Sequence, residues 1–242
     1  MLGIIIQLIL SWLIIWFAEK KDLGVLGFFP TKKRALYFII FLFITAFCCA
    51  VGFLLRMYFG KETWMINPNL NFSLIISGIW WNIKSVLFEE LIFRGVLLYI
   101  LIKKAGPSIA IAVSAITFGI YHWFSMEIFG NAMQMIVIFV VTGGMGILLA
   151  YAFYKTKSLL IPIAIHLGWN ATTQVIFSEG PIGDQLLIKA QPVPEVNVSW
   201  LIYIIVIYLP VLSMFIVNYL ILKHETNFSM YSTRNLTTPG GS

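Results

Sequence analysis

Seven long apolar stretches dominate the chain: Leu2–Ala18, Ala35–Tyr58, Asn71–Ile102, Pro107–Phe124, Asn131–Tyr154, Ser158–Phe177 and Trp200–Leu222. A helix that crosses a bilayer needs about 20 mostly apolar residues, and each stretch reaches or approaches that length. Hydrophobic residues make up 60% of the 242-residue sequence and charged residues 11%. An average soluble domain has about 45–50% and about 25%. So few charges cannot cover the surface of a soluble globule, and the chain is too apolar and aromatic for disorder. The expectation is an all-α polytopic membrane protein with about seven, or eight, transmembrane helices around an intramembrane polar cavity. The third stretch is long and charged, so it is expected to tilt, kink or divide. Residues 1–225 read as one transmembrane domain, and 226–242 as a polar, disordered cytoplasmic tail. Leu2–Ala18 lacks the basic start and the cleavage site of a signal peptide, so it reads as a retained helix.

Orientation follows from Lys and Arg in the short loops. With seven crossings, eleven basic residues fall on one side: Lys20, Lys21, Lys32, Lys33, Arg34, Lys103, Lys104, Lys155, Lys157, Lys223 and Arg234. Lys61, Lys189 and the interfacial Arg56 fall on the other. This asymmetry places the N-terminus outside and the C-terminus in the cytoplasm. It also accounts for most of the net charge of +6. No basic stripe or reading motif accompanies that charge, so nucleic acid is not a partner. Cys48 and Cys49 are adjacent in an apolar run and imply no disulfide framework. The polar stretch Ser178–Ser199 reads as a solvated connector, with a lid as the alternative. Gly143, Gly144 and Gly146 read as sites of close helix approach.

Four charges remain inside the hydrocarbon region: Lys84, Glu89, Glu90 and Arg94, all on the third stretch. Insertion of Asp, Lys or Arg at a helix centre costs about 2.5–3.5 kcal/mol, so such residues are functional candidates. Glu90 and Arg94 are i,i+4 and can neutralise each other. Glu89 is rotated by about 100° from Glu90 and needs a partner of its own. Lys84 is poorly placed to be that partner, and the sequence suggests no role for it. His122 lies near the end of the fourth stretch; His166 and Asn170, again i,i+4, lie on the sixth. At 1.5 Å of rise per residue, the depths of Glu89, His122, His166 and Asn170 overlap, so the four can converge in one cavity.

A carboxylate beside a neutral imidazole, away from bulk water, can hold and deprotonate a water molecule. A second His with an Asn can donate hydrogen bonds to the oxyanion formed when water attacks an amide. The same residues allow a metal variant. Glu89, His122 and His166 resemble the ligand set of a catalytic Zn2+ site, with Glu90 as the base. Spacing does not choose between the two. The patterns His-Glu-x-x-His and Gly-x-Ser-x-Gly are missing, and no paired aspartates lie in the spans. Two readings from other classes compete: a proton-coupled transporter and a non-catalytic membrane scaffold.

Three motifs stand in order along the chain: Glu89-Glu90-Leu-Ile-Phe-Arg94, Phe118-Gly-Ile-Tyr-His122 and His166-Leu-Gly-Trp-Asn170. They resemble the Glu-Glu-x-x-x-Arg, Phe-x-x-x-His and His-x-x-x-Asn motifs of the CPBP family, the CAAX proteases and bacteriocin-processing enzymes also called Abi proteins. The match covers roughly Ile75–Val175. The resemblance implies an all-helical intramembrane protease in which Glu89 and His122 activate water and His166 and Asn170 form the oxyanion site. Glu90 and Arg94 support them. It further implies a peptide or lipidated protein as substrate, membrane lipids as surroundings, and metalloprotease character that is disputed within the family. The short chain reads as a bacterial member, located in the inner membrane.

Overall fold

The computed structural model describes residues 1–192 and 196–224; the tail 226–242 of the sequence reading lies outside them. Among the described residues there are eight α-helices: α1 (Leu2–Glu19), α2 (Lys32–Phe59), α3 (Phe72–Phe93), α4 (Val96–Ala105), α5 (Pro107–Ser125), α6 (Ala132–Thr156), α7 (Leu160–Asn170) and α8 (Trp200–His224). Local chemistry sets several of the ends. Thr31, Asn71 and Asn131 cap α2, α3 and α6, each side-chain oxygen accepting a backbone N–H of the first turn. Pro107 opens α5, where its missing N–H costs nothing.

The all-α membrane architecture stands, with two departures from the sequence reading. Helices α1, α2, α5, α6 and α8 are long and apolar enough to cross a membrane, so length and composition identify five candidate spans among the described residues. As expected, the third apolar stretch is divided, between α3 and α4; the sixth departs from the reading, since its α-helix has only 11 residues. The division falls at Arg94–Gly95. A Cβ on Gly95 would stand 2.1 Å from the Leu91 carbonyl oxygen, so only glycine fits where α3 ends and α4 departs.

The second departure is a small sheet. Strand β1 (Trp64–Ile66) pairs antiparallel with β2 (Leu187–Lys189), with Met65 opposite Ile188. The 178–199 segment is therefore tied to the connection before α3. Three-residue strands are too short to show a period of two in the sequence. Charges reinforce the tie. Arg56 at the end of α2 donates to Glu62 at 3.0 Å and to Glu179 at 2.8 Å, while Lys189 on β2 reaches Glu62 at 3.2 Å and Glu179 at 3.3 Å. Asn67 donates to the Gln185 carbonyl at 2.9 Å.

Two apolar clusters build the core. One joins α1, α3, α4 and α6; the other joins α2, α6 and α8. Both include residues of α7, whose Ile161–His166 and Gly168 are all buried. A helix apolar on every side is a core helix. Its seat against α2 depends on Gly168, where a Cβ would stand 2.4 Å from the Leu42 carbonyl oxygen. On α6, a Cβ on Gly146 would stand 2.9 Å from Ala115 Cα, so α5 and α6 touch backbone to backbone there. Asn218 and Thr45, both buried, join α8 to α2 by a 3.2 Å hydrogen bond; such polar contacts hold membrane helices together where apolar burial offers no preference over lipid. Cys48 and Cys49 are free and buried.

After Asn170 the chain widens into a π-helical turn, Ala171–Ile176. Two threonines take up carbonyls there: Thr172 donates to Gly168 O at 2.8 Å and Thr173 to Asn170 O at 3.1 Å. Such turns gather at functional sites.

Two outcomes test this account. Gly168→Ala is expected to push α7 from α2 at a cost of about 1–3 kcal/mol, read as a lower melting temperature in detergent. Gly143→Ala, whose Cβ would stand 3.6 Å from its nearest neighbour, should melt like wild type. The second concerns pH. Burial raises the Glu179 carboxyl, but hydrogen bonds and charges from Arg56 and Lys189 outweigh it and hold the group below the ordinary carboxylate range. A depressed folded value means stability that is present above the unfolded value and lost as pH falls through the folded one. Glu179→Gln should therefore lower the melting temperature at pH 7, and the difference should shrink in strong acid.

Candidate active site

The site is built around α3 where it ends. Successive helical residues differ by about 100°, so Glu89 and Glu90 leave α3 in different directions. Glu90 is fully buried and accepts a hydrogen bond from Arg94, also fully buried, at 3.2 Å. The same Glu90 oxygen, Oε1, faces His166 Nδ1 at 2.8 Å. The pair expected from the i,i+4 spacing therefore forms, and it also reaches across to α7. Nothing in the sequence announces that third member, because the spacing already satisfies both charges locally.

Phe118 is a hub. Its ring face carries the Arg94 guanidinium, 4.0 Å from the centroid, a cation–π arrangement. Its ring also packs edge-on against His122 and His166, with centroids 4.5 and 6.0 Å apart. Its carbonyl lies 2.8 Å from His122 Nδ1. A carbonyl only accepts, so His122 Nδ1 carries the proton, and the neutral ring presents a bare Nε2. The Phe-x-x-x-His spacing thus places ring, carbonyl and imidazole on one face of α5.

Glu89 has the freer carboxylate. Its Oε1 accepts from Ser85 Oγ at 3.4 Å, and its Oε2 lies 3.8 Å from His166 Nε2. That Oε2 is buried with no hydrogen-bond partner among the described residues. Two carboxylates and one guanidinium leave one uncompensated negative charge in this part of the site. His166 lies between both acids, with Nδ1 2.8 Å from Glu90 and Nε2 3.8 Å from Glu89. His122 and Tyr121 stand within electrostatic reach of Glu89. The Tyr121 ring lies 5.4 Å from that of His122 and 5.3 Å from that of Phe93.

Of the four candidate catalytic residues, Glu89 and His166 are brought within ion-pair distance, and His122 joins them through Phe118. Asn170 stands one turn beyond His166 at the end of α7, half-buried. Its side-chain amide has no hydrogen-bond partner among the described residues. Ser85 and Tyr121 were not singled out by sequence reasoning; the i,i+4 spacing of Ser85 and Glu89 is the signal that would have found the first. Trp169 packs against Cys49 and Phe53 and accepts the Cys49 thiol on its carbonyl.

The candidate metal set Glu89, His122 and His166 is not assembled. No group of three His, Cys, Asp or Glu side chains among the described residues is placed to hold a metal ion. Glu89 Oε2 and His166 Nε2 stand 3.8 Å apart, and with Nδ1 of each His engaged, Nε2 is the ring nitrogen left to ligate.

Comparison with curated proteins gives no match, and neither does comparison with solved structures. One family model does match: Type II CAAX prenyl endopeptidase Rce1-like, over residues 70–172. The matched stretch runs from the start of α3 through α7 to the first π-helical residues, and it contains all three motifs. This match supports an assignment to the CAAX-protease family and a peptidase role.

Proposed function

We propose that the protein is an intramembrane endopeptidase of the CAAX-protease type that hydrolyses a peptide bond with water activated by Glu89 and His122. The observation that carries this reading is the division of labour between adjacent acids. Glu90 Oε1 is committed to Arg94 and His166, whereas Glu89 accepts only the Ser85 hydroxyl, at 3.4 Å; one oxygen of each acid is buried without a hydrogen-bond partner among the described residues. Glu89 Oε2 and His122 Nε2 are two acceptors for the protons of one water. As its oxygen bonds to the substrate carbonyl carbon, one proton passes to this pair, and the carbonyl oxygen becomes an oxyanion. Asn170 Nδ2 donates to the oxyanion, and His166 donates from Nε2. With Nδ1–H turned to Glu90, His166 donates from Nε2 as the imidazolium. Collapse breaks the C–N bond, and the amine leaves with the proton taken from water.

The substrate class is a membrane-associated or lipidated peptide. In the proposed topology, α3 and the α7–π segment complete seven crossings in a bacterial inner membrane, with the N-terminus outside and the C-terminus in the cytoplasm. The Lys and Arg asymmetry supports that orientation.

The test is cleavage of a lipidated peptide by purified variants. Glu89→Gln and His122→Ala should each lose at least about 10²-fold in kcat while eluting and melting like wild type. Full activity in either would overturn the assignment. Elemental analysis and a chelator titration of the active protein separate this mechanism from the metal variant: activity without stoichiometric metal is expected. Arg94→Leu should behave differently. It leaves Glu90 buried without its cation, a loss of about 3–5 kcal/mol, so the expected outcome is a large drop in melting temperature and folded yield.

A further inference from the structure

Asn82, Ser85 and Glu89 recur at i, i+3 and i+7 on α3 and so share one stripe of the helix. Asn82 is 1% exposed. Its Nδ2 donates to the Gly78 carbonyl oxygen at 3.2 Å. A carbonyl only accepts, so this bond fixes which way the amide is turned. Its Oδ1 is then buried with no hydrogen-bond partner among the described residues. Gln185, from the segment before β2, is 3% exposed and repeats the arrangement. Its Nε2 donates to the Ile182 carbonyl at 3.2 Å, and its Oε1 is buried with no partner among the described residues. That oxygen lies against α3 one turn before Asn82, since a Cβ on Gly78 would stand 2.3 Å from it.

A buried acceptor left without a donor pays its full desolvation, and the donors of both amides are already spent. Ser85 extends the pattern. Its hydroxyl proton goes to Glu89 Oε1 at 3.4 Å, so its oxygen offers only lone pairs to anything else. Asn82 and Ser85 are thus successive acceptors on one stripe, and their complement is a small molecule with two donors. Water is that molecule. Two O–H···O bonds of about 2.8 Å let one water bridge acceptors about 4–5 Å apart, and side chains at i,i+3 stand about 5–6 Å apart at Cβ. A peptide does not reach atoms buried as deeply as the two amide oxygens, whereas waters settle on such groups. Ser85 is half-buried and also lines, beside Lys84, a groove between α1 and α3. The site is therefore closed at Asn82 and Gln185 and open at Ser85.

We propose that Asn82, Ser85 and Gln185 hold ordered water that replenishes the water consumed at Glu89, with Asn82 as a positioning residue that acts through that water. The use of the water rests on the proteolytic reading; its binding does not. Each cut consumes one water in a site surrounded by apolar helices, so the next one must come from a polar station nearby. Ser85 serves both ends of the transfer, since it lines the store and bonds Glu89. A water that moves about 6 Å along the axis from Ser85 to Glu89 meets Glu89 Oε2, the buried oxygen with no partner among the described residues. No covalent bond is made or broken in this step.

The experiment reads the water and the turnover separately, on the full-length protein in phosphatidylcholine liposomes. Water-edited solid-state NMR follows magnetisation from water to side-chain amides, the Asn82 signal being assigned by its loss in Asn82→Thr. Asn82 should receive it faster than Asn218, which is equally buried but donates within the bundle to Thr45 and Met214. Equal transfer to the two amides would overturn the proposal. Turnover is measured on an N-palmitoylated, quenched-fluorescent octapeptide. Asn82→Leu should lower kcat about tenfold, equivalent to about 1.4 kcal/mol, with KM unchanged, because substrate binding does not involve the store. Asn82→Thr keeps an acceptor while its hydroxyl donates to Gly78, as Thr172 donates to Gly168, and should retain most of kcat. Wild-type kcat in Asn82→Leu, or equal losses in the two variants, would count against the store. Fast transfer to Asn82 in a protein that cleaves nothing would uphold the water site and count against the proteolytic reading alone.

Discussion

The interaction on which the site depends is the buried contact of Arg94 with Glu90 and Phe118. A guanidinium with no exposure to solvent or lipid must be neutralised nearby, because desolvation of an ion costs several kcal/mol even after relaxation. Glu90 does this from one turn earlier on α3, and the Phe118 ring covers the other side from α5. The Glu90 oxygen that holds Arg94 also holds His166 on α7. One charge pair thus fixes three helices relative to each other. A buried ion pair is weak evidence for stability, since apolar replacements often do as well. Its contribution here is geometric: it aims His166 Nε2 toward Glu89 and leaves Glu89 as the acid without an internal cation.

The rest of the fold holds α7 where this network can use it. Helix α7 is short, largely buried, pinned to α2 at Gly168, and widened immediately after Asn170. By contrast, α8 exposes apolar residues over most of its length, as a helix facing hydrocarbon can. At the other end of the π turn, the Arg56, Glu62, Glu179 and Lys189 cluster and the β1–β2 pairing close the connection. The helix with the oxyanion candidates is therefore held from within by packing and at its exit by charge.

Helix α3 then serves three purposes on three faces. Glu90 turns into the bundle, Glu89 accepts the Ser85 hydroxyl and keeps one buried oxygen without a partner among the described residues, and Lys84 and Ser85 line the α1–α3 groove. The rotation of about 100° per residue allows this within seven positions.

The amino-acid sequence by itself determined the membrane class, the five helices long and apolar enough to cross a membrane and the identity of the candidate residues, because hydrophobic runs and i,i+4 spacings are properties of the chain read locally. It also marked Glu89 as an acid without a local base. It did not determine the break at Arg94–Gly95, which depends on the Leu91 carbonyl standing where a Cβ would go, nor the sheet, whose strands are too short to show a pattern. The widening after Asn170 has no separate signature either, since α and π turns accept the same residues. Only the tertiary structure decided that Glu90 belongs to His166 as much as to Arg94, and that Lys84 opens onto a groove beside Glu89. Both facts are set by how helices cross and where one of them ends, and sequence spacing along a single helix carries no record of a partner on another.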